Sequence, residues 1–353
     1  MTKHIKDWKR QTARPARWIA IGLALIGLLG LAGCHKQVAN ASAHSSSGLV
    51  LHIGYGKGGS MDIVRHQGTL EKRLAPLGVK VEWLNFPMGP QMMEGIGAGS
   101  VDIGAAASTP PIFAQAAGIP FVYAANTPPG RTAGAILIPG NSTLRTLRDL
   151  KGKRIAFQPG SVWQYDLVKL LEQVGLEYKD VTPVKLPPAD AFAAFNSGSI
   201  DAWIQGAPYV TIAQRKSGAR ILVDTSSVPN DGGFYLAAKA TAQAHPELIQ
   251  ITLEELKKAG DWALAHPHDA AVLTASDVGL DVPTLEQTYV QGNSTEFRPI
   301  DAKIVQQQQE QADLFERLGV LPHHIDVRQV ILPQEQYARL LPRQEARTNV
   351  STN

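Results

Sequence analysis

Four short turns in this 353-residue chain set glycine or alanine beside hydroxyl or amide side chains just ahead of a helical pattern. They are Gly56-Lys57-Gly58-Gly59-Ser60, Ala107-Ser108-Thr109, Gly160-Ser161-Val162 and Gln205-Gly206-Ala207. Such turns suit the binding of an anion. The first N–H groups of a helix have no partner within it, and the helix dipole adds partial positive charge at the same place. The candidate polar donors are Ser108, Thr109, Gln158 and Ser161, joined by the turn positions Gly58, Val162 and Gln205. Lys57 reads either as an added positive charge or as a solvated loop lysine. Ser108 and Thr109 also suit plain N-caps. Met88, Trp163 and Phe234 are candidates for an apolar wall, with burial in the core as the other reading.

Competing chemistries find less support. Gly54-Tyr55-Gly56-Lys57-Gly58-Gly59 fits G-x-G-x-x-G between a strand and a helix. The acid that should close the second strand of a dinucleotide site is missing, because Glu82 lies within that strand and Asn85 near its end. Gly58-Gly59-Ser60-Met61-Asp62 lacks the last glycine of a nucleophile elbow. His266-Pro267-His268 and His323-His324 are too closely spaced for a helical metal pair, and no acid–base dyad is recognisable. A single cysteine excludes a disulfide framework, a zinc–cysteine cluster and an iron–sulfur centre. No cofactor and no metal are therefore expected.

The elements that must position these turns alternate between strand and helix. Strands are predicted at 49–55, 79–86, 101–106 and 121–126, with helices at 60–77, 91–98 and 111–117 between them. A Pro/Gly-rich patch, Thr127-Pro128-Pro129-Gly130, interrupts the series. Strands then resume at 133–139, 154–157, 181–186, 201–205 and 221–223, with helices at 162–174, 189–196 and 208–216. A second patch, Val228-Pro229-Asn230-Asp231-Gly232-Gly233, precedes a strand at 234–238. Beyond about Glu247 the pattern is helical, with helices at 247–263, 268–276, 283–289 and 302–318. The βαβα order predicts an α/β fold with mainly parallel sheets. The two patches read as hinge strands around an inserted domain, 130–230, within a discontinuous one, 49–129 and 231–340, ahead of a polar tail, 341–353. Two crossings suit closure around a ligand.

The net charge of +3 is misleading. Residues 1–33 hold six basic residues and one acid, and without them 28 basic residues face 30 acidic ones, a net of −2. A nucleic-acid partner loses its electrostatic footing. The basic start is followed by sixteen uncharged residues, Trp18 to Gly33, which read as a secretory signal rather than a membrane span of about 20 residues. The run ends in Leu31-Ala32-Gly33-Cys34, which resembles a bacterial lipobox. That resemblance implies a diacylglyceryl group on Cys34. Residues 34–48 then form a flexible polar tether. His35 after Cys34 points to the outer membrane in a diderm cell.

A longer resemblance covers roughly Leu49 to Pro333. Its segments include Phe86-Pro87-Met88-Gly89-Pro90-Gln91-Met92, Ser100-Val101-Asp102-Ile103-Gly104 and Pro110-Pro111-Ile112-Phe113-Ala114-Gln115-Ala116-Ala117-Gly118. Asp149 to Gln158, Pro188-Ala189-Asp190-Ala191, Asp201-Ala202-Trp203, Gly233 to Ala238, Gln306 to Phe315 and Val327-Arg328-Gln329 continue it. Together they resemble the periplasmic substrate-binding proteins of ABC importers for aliphatic sulfonates. The resemblance implies a type II-like periplasmic-binding-protein fold of two βα domains joined by two hinge strands. It further implies a monomeric, non-catalytic receptor serving sulfur uptake, with a permease and its ATPase as partners. Related importers carry taurine, nitrate or pyrimidines, and a nucleotide-dependent enzyme on an exported α/β scaffold is the rival class. Two departures bear on cargo. The family leads one to expect an acid at Ser108, and Trp-Asp where Gly206-Ala207 precede Pro208-Tyr209. Trp163 is placed to refill some of the vacated space.

Overall fold

Short apolar runs persist as strands where both faces can be covered. The computed structural model describes residues 48–129, 134–230, 232–291 and 296–342. Cys34, the leader before it, nearly all of the tether and most of the tail lie outside the described residues. The first four strands are β1 (Val50–Tyr55), β2 (Lys80–Asn85), β3 (Ile103–Ala107) and β4 (Phe121–Thr127). Next come β5 (Ala135–Ile138), β6 (Arg154–Phe157), β7 (Thr182–Lys185), β8 (Ala202–Gln205) and β9 (Arg220–Asp224), and finally β10 (Gly233–Ala238). They form two five-stranded sheets, ordered β2-β1-β3-β10-β4 and β7-β6-β8-β5-β9.

The two orders are the same pattern with one strand exchanged. β1 pairs in parallel with β2 and β3, as β6 does with β7 and β8. β10 runs antiparallel between β3 and β4, and β5 runs antiparallel between β8 and β9. The sheets are therefore mixed, where the βαβα order predicts mainly parallel pairing. Each antiparallel strand is the first one made after the chain changes sheets. No βαβ crossover feeds it, so nothing obliges it to run with its neighbours. The passages between sheets fall at 128–134 and 225–232, on the two Pro/Gly-rich patches. They touch, since Gly232, at φ +86°, lies against the Thr127 carbonyl and Pro128.

Helices cover both faces. In the first lobe α1 (Ser60–Gln67), α2 (Thr69–Leu74) and α9 (Pro246–Ala265) bury Ile63, Val64, Leu70 and Leu253 against Leu51 and Ile53 of β1. The single helix expected at 60–77 is broken at Gly68, whose φ of +60° caps α1 and returns its N–H to the Val64 carbonyl. α3 (Gly89–Gly97), α4 (Thr109–Ala116), α12 (Ala302–Arg317) and α13 (Gln334–Leu340) lie toward the other face. α8 (Lys239–Ala244), α10 (Pro267–Val278) and α11 (Val282–Gln291) complete the lobe. In the second lobe α5 (Val162–Glu172) packs on one face, and α6 (Pro188–Asn196) and α7 (Tyr209–Ser217) on the other. Period-two alternation divides β5 between those faces, with Ile136 and Ile138 on one and Leu137 on the other. Each such buried side chain contributes about 1.5–3 kcal/mol. Between the lobes, Phe113 lies beside Gly160, the Tyr165 and Phe315 rings stand 6.3 Å apart, and Arg215 pairs with Asp281. No helix among the described residues is long and apolar enough to cross a membrane.

Candidate functional site

Parallel strands deliver their following turns to one edge of a sheet, the edge at which open α/β sheets take ligands. In the first lobe Lys57 and Gly58 follow β1, Met88 follows β2, and Ser108 and Thr109 follow β3. In the second lobe Gln158, Ser161, Val162 and Trp163 follow β6, and Gln205 ends β8. Phe234 goes elsewhere. It sits on β10, in the middle of a sheet covered on both faces, and its ring packs edge-to-face on Tyr123 at 4.9 Å within the core. Lys57 is exposed, and its charge acts on Asp277.

Two of the turns are built alike. Gly58 and Gly160 both take positive φ, +78° and +67°. The next residue, Gly59 or Ser161, is the N-cap of α1 or α5. In each turn the third helical residue reaches back to the positive-φ glycine. Gly58 N–H donates to Asp62 Oδ2 at 2.9 Å, and Gly160 N–H donates to Gln164 Oε1 at 3.0 Å. The Gly58 N–H expected to serve a ligand is thus already taken. The difference is charge. Asp62 is a fully buried carboxylate whose other oxygen accepts from Arg65 at 2.9 and 3.1 Å. Gln164 is a neutral amide held on its far side by Tyr178. Asp62, His66 and Asp277 lie within 4.8 Å of one another, and Arg65 supplies the positive charge among them by pairing with both acids.

At α5 the donors are main-chain groups. The Ser161 hydroxyl, expected to reach a ligand, gives its proton to the Gln158 carbonyl at 2.6 Å. No side chain caps the helix, and the N–H groups of Val162 and Trp163 have no partner among the described residues. Gln205 turns its carbonyl oxygen onto the Gly206 N–H at 3.0 Å, which leaves its NH2 group for another acceptor. At α4 the second and third helical residues are Pro110 and Pro111, which have no N–H to offer. The polar groups there are side chains. Gln311 of α12 donates to Ser108 Oγ at 3.4 Å, which leaves the Ser108 proton to point onward. Thr109 Oγ1, Gln311 Oε1 and Gln158 Oε1 are buried without a hydrogen-bond partner. An orphaned buried polar atom costs about 1–3 kcal/mol; of these three only the Thr109 hydroxyl can donate to an anion, the two amide oxygens being acceptors.

Trp163 rests on two glycines. A methyl group on Gly206 would come within 2.5 Å of its Cη2 and Cζ2, and one on Gly134 would fall inside the same ring. Neither glycine has positive φ, so the ring and not the backbone demands glycine there. Thr225 fixes Gly134 from both sides, since its Oγ1 accepts from the Gly134 N–H at 2.9 Å and its own N–H donates to the Gly134 carbonyl at 2.9 Å. The Thr225 hydroxyl in turn bonds Asp166, one helical turn beyond Trp163. Burial pushes the Asp166 carboxyl up to about 7, against the pull of that bond. Gln164, Gln311, Asp166, Thr225 and Gly134 were not among the residues expected from sequence. Gln308 and Gln311 did carry a signal, two amides on the buried stripe of an amphipathic helix.

Comparison with known proteins agrees with this architecture. Residues 76–270 match the model of the NMT1/THI5-like family. An aliphatic sulfonates-binding protein assigned in Escherichia coli K12 is 38% identical over 88% of this chain and 95% of its own length. One assigned in Bacillus subtilis 168 is 33% identical over 88% and 90%. The solved alkanesulfonate-binding protein of Xanthomonas axonopodis pv. citri, bound to MOPS, is 35% identical with a TM-score of 0.75, covering 80% of this chain and 98% of that one. With two mixed sheets of matching order, and relatives aligned along almost all of it, the chain belongs to the NMT1/THI5-like family and to its branch of sulfonate-binding proteins with the periplasmic-binding-protein fold.

Proposed function

We propose that the chain is the ligand-capturing subunit of an ABC importer and holds a small sulfonate-like anion, chemically unchanged, between its lobes. The observation that carries this reading is the start of α5, with two main-chain N–H groups unpartnered and no carboxylate in its turn. A sulfonate is ionised at any biological pH and presents three acceptor oxygens. It needs donors more than counter-charges. The N–H groups of Val162 and Trp163 meet the head group from the second lobe, with the Gln205 and Gln158 amides beside them. Ser108, aimed by Gln311, and Thr109 meet it from the first. Ser161 shapes the turn. Three or four hydrogen bonds to a charged group, about 1.5–3 kcal/mol each, support micromolar binding near −8 kcal/mol after ordering and closure.

The relatives are binding proteins, and here too capture is the task. The chain works outside the cytoplasm, tethered through a lipid on Cys34, with 130–230 as the closing domain and the touching passages as its hinge. The closed face is what a permease reads. Titration calorimetry of the full chain with alkanesulfonates, taurine, aromatic sulfonates, sulfate esters and nitrate tests the reading. Saturable heat with a sulfonate is expected. Binding of a neutral compound with no heat from any anion would overturn it.

A further inference from the structure

Resting on that reading, we propose that Trp163 is the specificity-determining residue of the site and selects sulfonates whose tail is a planar aromatic ring. Gly134 precedes β5 and Gly206 follows β8, and Ala135 pairs with Gln205 across those strands. Both glycines therefore lie at the ligand edge of the second sheet, and the indole lies over that edge. Its place is fixed from below by Thr225, which grips Gly134, and by Asp166, which grips Thr225. The indole is only partly buried, and its Nε1–H has no partner among the described residues. The same residue offers an unpartnered main-chain N–H at the helix start. A head group on that N–H carries its tail past the indole of the same residue. A flat, immobile wall rewards a flat tail, because offset stacking adds to simple area burial and a puckered ring of equal size cannot make it. With glycine at 206 the ring packs directly on the strand end, where any side chain would displace it.

The test is calorimetry of the full-length protein with benzenesulfonate and cyclohexanesulfonate, which share a head group and nearly share a size. Benzenesulfonate is expected to bind up to about tenfold more tightly, the span of an aromatic pair. In Trp163→Leu the two should bind alike, and in Trp163→Phe most of the preference should remain. Equal affinities in the unsubstituted protein, or a preference unchanged in Trp163→Leu, overturn the proposal while leaving the sulfonate reading standing. If Trp163→Leu fails to fold, loss of the preference in Trp163→Ala, or its reduction in Gly206→Ala, supports the proposal, and an unchanged preference in the folded variant overturns it. No heat from either anion, with binding of neutral benzenesulfonamide instead, removes the sulfonate reading and this proposal together.

Discussion

The turn before α1 and the turn before α5 use one backbone design with the charge placed differently. In the first lobe the residue that reaches back to the glycine is the carboxylate Asp62, and two positions on stands the buried Val64. In the second lobe the residue that reaches back is the neutral Gln164, and two positions on stands the buried acid Asp166. A carboxylate at a helix start uses up the dipole that would otherwise hold an anion. The first lobe thus employs its helix start for its own architecture, with Arg65 closing the account. The second leaves its helix start free of a carboxylate and sets its acid two residues further along the helix, against Thr225.

Breaking the first turn should have the largest effect. Asp62→Ala leaves the Gly58 N–H without its partner and takes from Arg65 one of its two acids, and a loss of about 3–4 kcal/mol is expected in urea unfolding. Next comes Asp166. Its carboxyl, raised to about 7, binds more protons folded than unfolded between about pH 4 and 7. Stability therefore falls as pH rises through that window and is level above it. Asp166→Asn should abolish the fall and gain on the order of 3 kcal/mol at pH 8, with little change near pH 4, as read from unfolding midpoints across pH. Removing a single donor from α5 sharpens the comparison at the level of binding. Ser161 is extended, at φ −96° and ψ 164°, as a residue before proline must be, and Val162 is the first helical position, where proline fits. Val162→Pro should weaken sulfonate binding by about 1.5–3 kcal/mol in calorimetry while the protein stays folded. Gln164→Ala frees the Gly160 N–H and should lower stability by about 1–2 kcal/mol, less than its charged counterpart. Arg215→Ala, which severs an exposed pair between the lobes, should change stability by less than about 1 kcal/mol.

Much of this was legible in the sequence wherever the signal is local. The strand read at 154–157 is β6 to the residue, and the helix starting at Val162 starts there. Hydrophobic alternation and a preceding glycine decide such boundaries within a few residues. The break at Gly68 was missed because apolar spacing continues across it, and α8 and α13 because short polar helices are held by their neighbours and not by their own pattern. The turns could be found, but not the direction of their hydrogen bonds. Nothing near Ser161 announces that its hydroxyl turns back to Gln158. Gln311 meets Ser108 across more than two hundred residues, and no local rule pairs them. The expectation that Trp163 refills space left at Gly206 came from a departure between motifs. Its second support, Gly134, is visible only once the β5 and β8 ends are side by side.

The exchanged strands set the order in which the molecule can assemble. The second sheet draws all five of its strands from one continuous stretch, Ala135 to Asp224, and can close as soon as that stretch exists. The first cannot. Among the described residues β4 has β10 as its strand neighbour, with single bridges from Tyr123 to Ile331 and from Asn126 to Arg298 on its other edge, so a chain emerging N-terminus first leaves the apolar run Phe121 to Asn126 without a strand beside it until Gly233 arrives. Throughout synthesis of the whole second lobe that run is a bare, sticky edge. The demand for protection during biogenesis therefore falls on β4 and on the side of β3 that β10 will cover, and most of it ends when the chain returns from its excursion.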